Sequence, residues 1–163
     1  MAHAGALAQP SSDWERRRAQ RSWQEIEAPL PTYPRRENLL PFFVSAASNF
    51  DFFVDGASLA VGKDGVVRYV LVARSAQGAQ NVSFEGIRCS TSEVRIYATG
   101  TADRGWTRSA GTWRTIATRS VQRWHNALRD EFFCPLGNPI HSAAEGVAAL
   151  KRGDHPSRTP GGN

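Results

Sequence analysis

Gly62-Lys63-Asp64-Gly65, followed by Val66-Val67-Arg68-Tyr69-Val70-Leu71-Val72-Ala73-Arg74, decides the fold. Glycine accepts the positive φ that tight turns require, so the first four residues read as a hairpin bend. The residues after it alternate with a period of two, as a strand does. Val67, Tyr69, Leu71 and Ala73 fall on one face, and Val66, Arg68, Val70 and Val72 on the other. Both faces are largely apolar, which predicts a central strand covered on two sides. Toward the N-terminus, Phe42-Phe43-Val44, Phe52-Phe53-Val54 and Ser58 to Val61 are the expected strands, with Asp55-Gly56 as a bend. Toward the C-terminus, Ser75 to Gln80 is a loop, and Asn81 to Cys89 sets Val82 and Phe84 opposite Ile87 and Cys89. Ser90 to Glu93 turns the chain, and Val94 to Thr99 sets Val94, Ile96 and Ala98 opposite Arg95 and Tyr97. Consecutive strands joined by short loops are expected as antiparallel neighbours.

Past this region the period changes. Gly105 to Ile116 carries Trp106 and Trp113 among Arg, Thr and Ser, and reads as an aromatic-bearing loop or hairpin. Val121, Trp124, Leu128 and Phe132 recur at spacings of three and four, one apolar helical stripe that Cys134-Pro135 ends. Ser142 with Glu145 has capping-box spacing, Val147 and Leu150 give an apolar face, and Lys151, Arg152 and Gly153 close a second helix. Strands first and helices after predict an α+β fold. It is an antiparallel β-sheet meander with C-terminal helices packed on one face and an extended N-terminal arm.

The chain has 163 residues, 40% of them hydrophobic and 21% charged, with a net charge of +5, which fits one packed domain and excludes wholesale disorder. No apolar run is long enough for a membrane-spanning helix. Residues 1–37 read as an export-signal remnant and a Pro/Arg-rich arm, 38–152 as a single globular domain, and 153–163 as a disordered tail. Two readings stand for the start. Ala6-Leu7-Ala8 before Gln9-Pro10 has the small-x-small pattern of a signal-peptidase site, or it is an ordinary Ala-rich terminus. Ser12 with Glu15 could cap a short helix, and Pro29, Pro31, Pro34 and Pro41 make Ala28 to Pro41 an extended connector.

Two cysteines remain. Cys89 closes a strand and Cys134 follows a helix, so a bridge would staple sheet to helix; the alternative is two free buried thiols. A catalytic thiol is disfavoured, because no CxxC is present and neither Cys has a local His partner. The export-like start and the element-end positions favour the bridge.

Phe42-Phe43-Val44-Ser45-Ala46-Ala47, Phe53 to Leu59, Asp64 to Tyr69 and Glu85-Gly86-Ile87-Arg88-Cys89 resemble the motif run of the cryptic neisserial protein-like family. Tyr97-Ala98-Thr99-Gly100, Trp113 and Phe133-Cys134-Pro135 resemble it too. The likeness runs from about Trp23 to Leu150. It implies a small exported protein of the Gram-negative envelope, with Cys89 and Cys134 paired. It carries no catalytic residues, since the family's biochemical role is uncharacterised.

Each candidate site has a plainer rival. Asp51, Asp55 and Asp64 lack the alternating oxygen ligands of a calcium loop, so turn chemistry is favoured. Arg68, Glu85 and Arg88 would line a small anion pocket if both arginines shared a face without Glu85; a cross-strand ion-pair ladder is favoured instead. His125 could serve as a general base, but it has no carboxylate partner within its own helix, and a solvent-exposed His is expected. His3, His141 and His155 give no metal spacing. The basic stretch Arg16 to Arg21, with Trp14 and Trp23, would suit phosphates or single strands, although such tails are more often merely solvated.

No catalytic residue, metal or cofactor is assigned. The favoured function is a non-catalytic periplasmic or envelope module. It would bind an envelope protein, glycan or lipid headgroup through Arg68, Glu85 and Arg88 on the sheet or through the Trp106–Trp113 segment. The alternatives are a small enzyme using Arg68, Glu85, Arg88 and His125, and a nucleic-acid binder using the N-terminal arm, the latter disfavoured.

Overall fold

The computed structural model describes residues 13, 14, 17, 22–118 and 122–157. The signal-like Ala6-Leu7-Ala8, the Ser12/Glu15 capping box and most of the basic stretch lie outside them.

The strands are β1 (Leu39–Phe42), β2 (Phe50–Asp55), β3 (Ala60–Val61), β4 (Val66–Ser75), β5 (Gln80–Arg88), β6 (Glu93–Gly100), β7 (Trp106–Arg108) and β8 (Arg114–Thr115). They form one antiparallel meander ordered β1-β2-β4-β5-β6-β7, with β3 also on β4 and β8 also on β6. The Gly62–Gly65 turn forms as its residues demand: Gly65 has φ of 78° and its amide donates to the Gly62 carbonyl. β4 is central, and its two faces sort as the alternation requires. Val67, Tyr69 and Leu71 enter one core, and Val70 and Val72 a second.

Three expectations are corrected. The first strand ends at Phe42, where the register pairs it with Phe52; Phe43 is 71% exposed as the chain leaves the sheet. The Gly105–Ile116 segment, expected as a loop or hairpin, is neither by itself: it supplies β7 and β8, which both pair with β6. In β6, a register shift opposite Phe84 and Glu85 puts Ala98 in the same core as Tyr97, not opposite it. A bulge leaves one residue unpaired and re-aims its neighbour.

The first core lies under the C-terminal helices. Helix α1 (Arg123–Ala127) continues as a π-helical turn over Leu128–Phe133, where a single α-helix was expected. The Cys134 amide donates five residues back to the Arg129 carbonyl. The wider turn brings Phe132, Phe133 and Cys134 inward together, at 1%, 0% and 2% exposure, which the narrower α pitch does not do for three consecutive residues. Val121 of the expected stripe lies outside the described residues. Helix α2 (Ala143–Arg152) begins as expected, with Ser142 Oγ accepting from the Glu145 amide, and ends at Gly153 with φ of 101°. Cys89 and Cys134 form a disulfide with Cα atoms 5.5 Å apart. It ties the end of β5 to the end of the π turn.

Among the described residues no helix packs on the second core. The extended segment from Trp23 to Arg35 crosses that face without pairing as a strand, and Ala28, Leu30 and Tyr33 pack on Val70, Val72, Val82 and Phe84. The sheet edges differ from its centre. β1 carries Pro41 at an exposed position, and the other edge is divided into β7 and β8, of three and two residues.

Candidate functional site

Arg68 and Arg88 share the arm-covered face, one from β4 and one from β5, while Glu85 turns to the helix face. The four-residue set Arg68, Glu85, Arg88 and His125 therefore does not assemble.

On the helix face, Glu85 is 2% exposed. Its Oε2 accepts from the Tyr69 hydroxyl at 2.9 Å and lies 2.8 Å from His125 Nε2; its Oε1 accepts from Ser83 Oγ at 2.8 Å. His125 is 3% exposed, which corrects the expected solvent-facing histidine. It is buried because the helix packs across the sheet and delivers it to a carboxylate 40 residues earlier. Burial, and then the Glu85 carboxylate, push the Tyr69 phenol well up, so it stays protonated and donates. The trio is sealed between sheet and helix and holds the two layers in register.

On the arm face, Asp64 and Arg68 form a bidentate ion pair, with Nη1 to Oδ1 at 3.2 Å and Nη2 to Oδ2 at 2.7 Å. Together they grip one residue of the arm. The Ile26 amide donates to Asp64 Oδ2 at 2.9 Å, and Arg68 Nη2 donates to the Ile26 carbonyl at 2.8 Å. Burial pushes Asp64 up, but Arg68 and the amides of Ile26 and Val66 outweigh it and hold the carboxyl below its usual range. Trp23 donates its indole N–H to the Asp64 carbonyl, and the Arg88 guanidinium lies 3.8 Å from the Trp23 ring centre.

Glu25 sits at the middle of this cluster. It accepts from Arg95 Nη1 at 2.6 Å, the Tyr97 hydroxyl at 2.5 Å and Trp113 Nε1 at 3.0 Å, with Arg68 Nη2 3.8 Å away. Burial, then the bond to Glu25, raise the Tyr97 phenol against the opposing Arg68 charge. The Tyr97 ring fits over Gly86, where an added Cβ would stand 2.8 Å from the hydroxyl oxygen. Trp106 and Trp113 are half-buried and committed to the arm: Trp106 Nε1 donates to the Pro31 carbonyl and packs on Tyr33, while Trp113 meets Trp23 edge-on.

Glu25, Arg95 and Tyr97 were not among the sequence candidates. Their partners lie 70 to 88 residues apart in the chain, so no local spacing signals them. Among the described residues, no three His, Cys, Asp or Glu side chains gather as a metal site. Asp55, Asp64 and their glycines do turn work; Asp55 Oδ1 accepts from the Ala57 amide, and burial raises its carboxyl. His141 and His155 share Glu145. No helix among the described residues is long and apolar enough to cross a membrane.

The geometry can bind an extended chain: a backbone grip at one residue, a cation over an aromatic ring, and three donors on a carboxylate. A family model described as the CNP1-like family matches residues 18–151. No curated protein and no solved structure matches the chain.

Proposed function

The chain belongs to the CNP1-like family, and on that premise we propose that it is an exported protein of the Gram-negative envelope acting as a non-catalytic binding module. The motif likeness to cryptic neisserial proteins points the same way. The observation that carries the reading is the Cys89–Cys134 disulfide clamping sheet to helices, a bond that persists in oxidising compartments such as the periplasm. Binding is favoured over catalysis because the polar groups of the arm face are set to hold a carboxylate and an aromatic ring. The acid–histidine pair Glu85–His125, in contrast, is closed off from solvent. The binding residues are Arg68, Arg88, Trp106 and Trp113, with Arg95 and Tyr97 added from the geometry. Glu85, on the other face, is assigned to layer packing.

Fractionation of the producing cell, with alkylation of free thiols before lysis, tests the location. The expected result is recovery in the periplasmic fraction with both cysteines protected. Reduced protein in the cytosol overturns export. Reproducible turnover of a peptide or glycan by the purified protein overturns the non-catalytic assignment.

A further inference from the structure

We infer that the arm-covered face of the sheet is a peptide-recognition groove that the chain's own arm occupies in cis. Its partner in trans is an extended segment of another protein, carrying an aromatic residue, a carboxylate two positions later and further acidic groups. The inference rests on the binding-module reading above and specifies its ligand. The arm supplies the template: Trp23 on Arg88, Glu25 among Arg95, Tyr97 and Trp113, and the Ile26 backbone between Asp64 and Arg68. Ile26 is 45% exposed, and its hydrogen bonds to Asp64 and Arg68 are made by its backbone. A backbone grip flanked by side-chain sites is how extended peptides are commonly read.

Two observations show that the arm fills this groove incompletely, and a third bears on its release. Arg68 is 5% exposed, yet its Nε has no partner, and the buried Nε atoms of Arg88 and Arg95 also lack one. Buried donors left unmade are costly, and arginine forks suit carboxylates, so a more acidic segment would satisfy what the arm leaves open. Cavities of about 500 Å³ and 290 Å³ flank the arm where Ala28 and Leu30 cross Phe84. Residues 23–35 form no strand pairing, so their release breaks discrete anchors and the packing of Ala28, Leu30 and Tyr33 and leaves the sheet ladders whole.

The test uses the full-length oxidised chain and its Trp23→Ala/Glu25→Ala variant, which disables the arm and keeps the groove. The probes are a labelled peptide of residues 22–34 and an array of unrelated peptides varying the aromatic and acidic positions. A tethered arm competes at an effective concentration near millimolar. Peptide binding is therefore expected to be at least about tenfold tighter in the variant than in the wild type, and to be lost when Arg95→Ala is added. The array should select an aromatic residue two positions before an acid. Absence of binding to a folded variant, indifference to the peptide carboxylate, retention after Arg95→Ala, or a dimer exchanging arms would each overturn the inference. If the double variant does not fold, hydrogen exchange at the Ile26 amide of the wild type under peptide titration decides. Saturable acceleration supports the groove, and no change overturns it. A reduced cytosolic protein that still takes the peptide sinks export alone. An envelope protein that takes no peptide sinks the groove alone.

Discussion

On one side of β4, Tyr69 meets Phe133 with ring centres 5.2 Å apart, inside a core that also holds Leu128, Phe132, Ile140 and the disulfide. On the other side, Arg68 meets Asp64 and the backbone of the arm segment 23–35, which belongs to no helix or strand. The first side is sealed by apolar area and a covalent tie, and its buried Glu85 is hydrogen-bonded to Tyr69, Ser83 and His125. The second is a smaller core, closed by the packing of Ala28, Leu30 and Tyr33 together with separate polar anchors, with space left between them. Apolar burial is non-directional and cooperative with the whole fold, whereas a few hydrogen bonds to an extended segment can open locally. On the groove proposal, the contrast separates what keeps the molecule folded from what exchanges.

Breaking the covalent tie should have the largest effect. Cys89→Ser with Cys134→Ser opens a link spanning 45 residues, and the chain-entropy relation gives a loss of about 4 kcal/mol in denaturant unfolding. Glu85→Ala should come next, at about 3 kcal/mol, because the Tyr69 hydroxyl and His125 are left buried without their acceptor. Both changes should shift the global midpoint while the arm melts with the rest.

On the arm face the expected outcome is smaller and of a different kind. Asp64→Asn should cost about 2 kcal/mol at neutral pH, since it removes the charged partner of Arg68. The folded-state pKa of Asp64 is lowered, so its contribution is present above the ordinary aspartate range. It is lost as pH falls through the lowered value. The gap between wild type and Asp64→Asn should accordingly narrow on acidification; a constant gap would show that the ion pair contributes nothing. Tyr97→Phe removes one donor from Glu25 and should cost about 1 kcal/mol. It should be read as faster amide exchange in residues 23–31 with an almost unchanged global midpoint. If exchange accelerates equally at β4, the two faces are one cooperative unit and the contrast fails.

The sheet was legible because period-two alternation and glycine turns are local signals, and β4 lies where Val66 to Arg74 puts it. The helix cap at Ser142 was legible for the same reason. The arm was half legible. Its prolines announce an extended segment, but nothing in Ala28 to Pro34 says that Leu30 and Tyr33 will pack on Val70 and Phe84. His125 was misread because the stripe Trp124–Leu128–Phe132 counts apolar residues, and a histidine beside it looks polar and outward. The pairing that buries it comes from Glu85, on another element. Arg68 and Arg88 are sequence candidates with their shared face left open, and the carboxylate between Arg68 and Arg95, Glu25, sits in a polar stretch with no pattern of its own.

Pro41 in β1 and the division of the far edge into β7 and β8 bear on a hazard that faces any open sheet. Neither border offers a long row of free amides and carbonyls on which a neighbour's strand could continue the ladder. Growth into fibrils by border-to-border stacking is thereby discouraged at both ends. Self-association of this protein, at the concentrations of a crowded compartment, would have to proceed through its broad surfaces.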